Sequence, residues 1–197
     1  MKEIIENSLE KAISYTAYRT LVKTLLVAKK STGNNQSDDL LKYSLLNDKR
    51  MKRLDKTIKI SEETIAKLTA VKAPKTWLVL TEGWCGDAAQ NLPVINKIAQ
   101  INDAIDLKIV LRDENEALMN AFLTNGGKAI PKLIALDKNN EVVGTWGPRP
   151  SKATKMVADY KAEHGGLDAE FKESLQVWYN KNKGINLQED IVSLFEH

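Results

Sequence analysis

The side chain best suited to covalent chemistry is Cys85, the single cysteine of a 197-residue chain. It lies in the stretch Trp84-Cys85-Gly86-Asp87-Ala88, after the apolar run Trp77-Leu78-Val79-Leu80 and before a helical pattern. A cysteine at a strand-to-helix junction faces the free N–H groups and the positive end of the helix. Both favour a thiolate and lower the thiol pKa. With no second protein thiol, exchange must use one sulfur: a mixed disulfide forms on Cys85 and an external thiol releases it. Asp87 and Glu82 oppose this, because negative charge nearby disfavours a thiolate. Two readings stand, a reactive nucleophile and a small, inert apolar residue.

Other chemistry finds less support. His164 and His197 have no partners at metal-ligand spacing, and one cysteine excludes a cysteine-rich zinc site, so no metal is expected. No phosphate-binding glycine loop occurs, and no cofactor is expected. Asp113-Glu114-Asn115-Glu116 reads as a helix start. Lys49, Arg50, Lys52, Arg53 and Lys56 form a basic run with only Tyr43 near it. That reads as a solvated helix face and not as a nucleic-acid surface. A net charge of +3 implies neither nucleic acid nor membrane as a partner. Acids at Glu3 and Glu6 interrupt what a signal peptide would need, and no segment has the ~20 apolar residues that span a bilayer. A cytoplasmic protein in a reducing compartment is expected.

The elements that must position Cys85 follow from periodicity. Helices are expected over 3–30, from Ser37 to about 56, and over 62–72 with Pro74 closing it. A strand over 76–81 leads to Cys85, and a helix over 86–100 contains Pro93, which removes one backbone donor and should kink it. A strand over 107–111 and a helix over 114–123 follow. Strands 132–136 and 141–146 then form a hairpin around Asp137-Lys138-Asn139-Asn140. Pro148-Arg149-Pro150 ends the strand, and helices over 151–163, 168–182 and 187–195 complete the chain, the last carrying Ile191, Leu194 and Phe195.

Trp84-Cys85-Gly86-Asp87-Ala88, Ile130-Pro131 about 45 residues later and the hairpin ending in Trp146-Gly147 together resemble the thioredoxin superfamily, over roughly residues 75–164. More narrowly, the chain is similar to bacterial W-C-G-D thioredoxin-like proteins with an N-terminal helical extension. The resemblance implies an α/β, thioredoxin-like fold: a central mixed sheet of about four strands flanked by helices. Residues 75–165 would form the core, 1–74 and 166–197 the helical extensions. It also implies an exposed thiol, a cis bond before Pro131 and a peptide-binding groove. Cys85 would be the nucleophile. Trp84, Gly86, Asp87, Ala88, Ile130, Pro131 and Trp146 would shape the site. Arg149 either assists, by steering an anion, or pairs with Asp87 or Asp113. Three positions depart from the family: Ala88 replaces the second cysteine, Asp87 the intervening proline, and Val79 the buried acid. The implied function is thiol redox homeostasis by a monothiol route, that of a monothiol disulfide oxidoreductase, with protein or low-molecular-weight thiols and disulfides as partners. The alternative is a redox-inactive binding module that uses the same groove. The oligomeric state is left open.

Overall fold

Two buried strands set the frame. In the computed structural model, which describes residues 1–71, 73 and 75–194, β1 (Lys75–Thr81) runs through the centre of a four-stranded sheet. It pairs in parallel with β2 (Ile105–Leu111), with Trp77 opposite Leu107. On its other side it pairs antiparallel with β3 (Lys132–Leu136), with Trp77 opposite Ala135. β4 (Val142–Trp146) completes the order β2-β1-β3-β4. Trp77, Leu78, Val79 and Leu80 are all buried, so both faces of β1 are covered. A run of consecutive apolar residues, without alternation, is the sequence form of such a strand. The hairpin turn is held by Asp137, whose Oδ1 accepts from the N–H groups of Asn139 (2.8 Å) and Glu141 (2.9 Å).

The helices, in chain order, are α1 (Lys2–Glu10), α2 (Tyr15–Val27), α3 (Asp38–Thr57), α4 (Glu62–Thr69), α5 (Gly86–Ala99), α6 (Glu116–Ala121), α7 (Ser151–His164), α8 (Ala169–Asn182) and α9 (Ile185–Ser193). Side-chain caps set several starts. Ser37 accepts from Leu40 N, Ser61 from Thr64 N and Asp168 from Phe171 N. Each such cap contributes about 1 kcal/mol. Pro93 lies inside α5, as expected.

The single helix expected over 3–30 is instead two. At Ile13 the chain turns extended and pairs with the edge of β2: Ile13 N–H donates to Ile109 O (2.9 Å), and Ile109 N–H donates to Ile13 O (2.8 Å). Ser14 then caps α2 by accepting from Ala17 N. Satisfying exposed edge groups of a sheet outweighs one continuous helix. Smaller corrections fall at element ends. α4 stops at Thr69, a short 3₁₀ turn (Arg112–Glu114) precedes α6, and α9 begins at Ile185. Pro74, Phe195 and His197 lie outside the described residues.

One apolar core joins Ile5, Tyr18, Val22, Met51 and Leu54 of the first helices to the sheet, to α5, and to Leu187 and Ile191 of α9. A second, smaller cluster is confined to α7 and α8: Ala153, Val157, Phe171, Leu175 and Tyr179. No helix among the described residues is long and apolar enough to cross a membrane.

Candidate functional site

Cys85 is the N-cap residue of α5, at the end of the loop that leaves β1. Its Sγ accepts from the N–H of Ala88 (3.4 Å) and donates to the carbonyl of Ile130 (3.2 Å). The peptide bond that follows, Ile130–Pro131, is cis. Residues 45 positions apart are thus brought to one point. Gly147 completes this corner, with φ +119° and no room for a side chain, since a Cβ there would run into the Pro131 carbonyl. A second cis bond, Gly147–Pro148, leads to Arg149.

The thiol is not the exposed, acidic group that the helix terminus implied. Cys85 is only 8% exposed, and burial pushes its pKa from the ordinary 9.0 up to about 12. The Asp87 carboxylate raises it further, while the N–H groups of Ala88 and Asp87 and the Arg149 guanidinium lower it. The helix end therefore acts with the expected sign, but desolvation and one neighbouring charge outweigh it.

Asp87 is the hub of the cover over this site. Arg149 Nη2 lies 2.7 Å from Oδ2, and the Tyr179 hydroxyl donates to Oδ1 (2.9 Å). Of the partners weighed for Arg149, Asp87 is the one it takes. Asp113 instead pairs with Arg112 (2.8 Å). Burial raises the pKa of Asp87, and Arg149 and Tyr179 pull it back. Around this pair α8 is seated on α5 by polar bonds. Gln90 Nε2 donates to Gln176 Oε1 (2.9 Å), and Asn91 Nδ2 donates to Tyr179 Oη (3.4 Å). From the other side α3 closes in. Asn47, fully buried, donates to the carbonyl of Gly83 (3.0 Å) and accepts from Arg50 Nη1 (2.9 Å).

Trp84 is half-buried against the core, with the Arg112 guanidinium 4.8 Å above its ring. Gly86 faces Gln176 and Arg50, and Ala88, where a second thiol would stand, is buried. Trp146 is buried at the end of β4. Its Nε1 donates to Asp190 of α9 (3.2 Å), which also receives the N–H and hydroxyl of Ser151. Behind the loop, Glu82 is fully buried. Its Oε1 accepts from Asp113 N (3.0 Å), the Thr32 hydroxyl lies against it, and burial raises its pKa.

Sequence reasoning missed Tyr179, Gln176 and Asn47. The one available signal is that Gln176 and Tyr179, three apart, share a helical face with each other, beside the apolar stripe of Phe171 and Leu175. The basic run, expected to be a solvated helix face, is not solvated throughout. Arg50 is instead half-buried at the site, because it lies three residues beyond the anchoring Asn47.

A strand, a cysteine capping the next helix and a cis-proline carbonyl facing its sulfur, on a β2-β1-β3-β4 sheet, define a thioredoxin-like protein. A sequence model of the thioredoxin family matches residues 33–161, and the chain belongs to that family. Among solved structures, it is similar to a protein of unknown function from Pseudomonas aeruginosa (TM-score 0.62, 15% identity, covering 95% of this chain and 94% of that one). It is also similar to an HIV epitope-scaffold (TM-score 0.57, 16% identity, covering 93% and 98%). At these identities the likeness is one of fold. No curated protein matches the sequence.

Proposed function

We propose that this chain is a W-C-G-D thioredoxin-like protein of cytoplasmic thiol redox homeostasis that works as a monothiol oxidoreductase. Protein or low-molecular-weight disulfides are its substrates. The observation that carries this reading is the 3.2 Å approach of the Cys85 sulfur to the Ile130 carbonyl. An extended disulfide substrate pairing with that backbone would have its sulfur beside Sγ. In the reaction the Cys85 thiol loses its proton to solvent. The thiolate attacks one sulfur of the substrate, the S–S bond breaks, and the other half leaves as a thiolate. An external thiol then attacks the mixed disulfide and restores Cys85. Since Ala88 offers no thiol, the second step must be intermolecular. The closed arrangement is a resting state, because a thiol with a pKa of about 12 is protonated at neutral pH; uncovering it is part of the cycle.

The raised pKa favours a second reading, a redox-inactive thioredoxin-fold module that binds a partner protein through the same groove. Intact mass after oxidised glutathione separates the two. One adduct on Cys85, removed by added thiol, supports exchange. A chain that stays unmodified under conditions that modify its urea-unfolded form sinks exchange and leaves the binding module.

A further inference from the structure

The chain has five arginines, and three of them lie against aspartates. Arg19 pairs with Asp48 and Asp55, Arg112 with Asp113 and Arg149 with Asp87. Arg50 and Arg53 enter no ion pair among the described residues. The reason lies in the geometry of α3. Two of its acids, Asp38 and Asp39, lie in its first turn, and the other two, Asp48 and Asp55, are taken up by Arg19 on another face of the helix. On the side of Arg50 and Arg53 the opposing groups on α8 are neutral amides. Arg53 Nη2 donates to Asn180 Oδ1 (2.7 Å), and Gln176 lies with Arg50 around Gly86.

Arg50 is not a free surface cation. Asn47 fixes it, Asn47 is itself fully buried and anchored to the loop before Cys85, and a methyl group on Gly86 would lie 3.8 Å from Arg50 Nη1. Burial and the facing charge of Arg53 both work against the protonated form of Arg50. Two neighbouring guanidiniums therefore lack an ion-pair partner among the described residues: Arg50, half-buried and beside Gly86, one residue from the candidate nucleophile, and Arg53, exposed, whose charge acts on it. Such an arrangement costs stability that a bound oxyanion would return.

Resting on Cys85 as the exchanging thiol, we propose that Arg50 and Arg53 form a carboxylate-binding subsite that selects small disulfides bearing a negative charge. The ligand carboxylate would displace the neutral Asn180 amide from Arg53 and bridge the two guanidiniums. Its disulfide would then extend over Gly86 toward Sγ. The same exchange would loosen one of the bonds that seat α8.

Two measurements test this, on the full chain and on Arg50→Gln/Arg53→Gln. The first compares alkylation of Cys85 by iodoacetate and by iodoacetamide, each relative to the urea-unfolded chain. The iodoacetate preference of the folded chain should be about tenfold, the effect of two guanidiniums roughly 6 Å from a carboxylate in a water-like dielectric. It should fall toward one in the double variant and in high salt. The second is equilibrium dialysis of oxidised glutathione against Cys85→Ser, with and without the two arginine substitutions. Saturable binding that the substitutions weaken supports the subsite. Absent binding, or binding that they leave equal, overturns it. The two ideas can fail apart. A Cys85 inert to both alkylating reagents, with arginine-dependent binding in the dialysis, defeats exchange and leaves the subsite. A reactive Cys85 with no iodoacetate preference and no binding defeats the subsite and leaves exchange.

Discussion

At the scale of single residues, Asp87 is the charged group that most disfavours the Cys85 thiolate. Its carboxylate is the second cause, after burial, of the raised Cys85 pKa, and it also occupies Arg149, whose charge would otherwise act more fully on the sulfur. Asp87→Asn keeps an oxygen for the Tyr179 hydroxyl but removes the charge. The sign is fixed: less negative charge near the sulfur favours the thiolate, so the pKa falls. The midpoint of Cys85 alkylation against pH should drop by about 1 unit. An unmoved midpoint would show that desolvation alone holds the thiol protonated. Gly147 has a different role. Its φ of +119° lies where L side chains rarely go, and an added methyl would be driven into the Pro131 carbonyl. Backbone cannot rotate away from such a clash as a side chain can. Gly147→Ala should cost at least ~2 kcal/mol of stability, the sum of strain and overpacking, read as a fall in urea midpoint at unchanged m-value.

At the scale of elements, α8 is held to the site by polar bonds, while its apolar side chains are spent on α7. A helix whose apolar face is satisfied elsewhere should open locally more easily than the core strands. Tyr179→Phe removes the hydroxyl to Asp87 and keeps the ring in the α7–α8 cluster. It also removes the longer bond from Asn91 (3.4 Å). Losing the two, at least about 1 kcal/mol together, should speed amide exchange in α8 by roughly fivefold or more, with β1 unchanged. Equal exchange in α8 would mean that the hydroxyl does not seat it. The same contrast explains what was legible in the sequence. β1, the Cys85 turn and the hairpin announce themselves through local patterns of apolar runs and turn residues, while the cis bond before Pro131 was implied by the family resemblance alone. Ser37 was readable as a helix start from such a local pattern, whereas Asp168, expected inside a helix over 168–182, proved to be its cap. The break at Ile13 was not readable, because its cause is a bridge to Ile109, 96 residues away, and nothing in a helical stripe records a distant strand edge. The cover over Cys85 was hidden likewise. The exposed, acidic thiol followed from the helix terminus and the family resemblance, whereas desolvation by α3 and α8 depends on contacts such as Tyr179–Asp87, 92 residues apart.

At the scale of the whole molecule, Glu82 lies where three separate segments meet. It directly follows the strand that leads to Cys85, takes the N–H of Asp113 from the loop after β2, and faces Thr32 from the loop between α2 and α3. Thr32 in turn accepts from the N–H of Gly83 (2.7 Å), so this junction also fixes the backbone beside the thiol loop. No arginine or lysine pairs with Glu82 among the described residues, although Arg112 exerts a weak favourable field. A fully buried carboxyl without an ion-pair partner is cheapest when neutral. Its pKa in the folded chain is therefore above the ordinary 4.5, and the dominant cause is burial. The linkage follows in sign. Because the folded state holds this proton more tightly than the unfolded chain, the contribution is fully present below the unfolded pKa and is lost as pH rises through the folded one. Glu82→Gln resembles the protonated form and cannot titrate. Its Tm should match that of the unsubstituted chain near pH 4 and exceed it by a margin that grows as the pH is raised toward neutrality. A constant difference across that range would mean that Glu82 titrates alike in both states, and a shrinking one would mean that its charge, and not its proton, holds the three segments together.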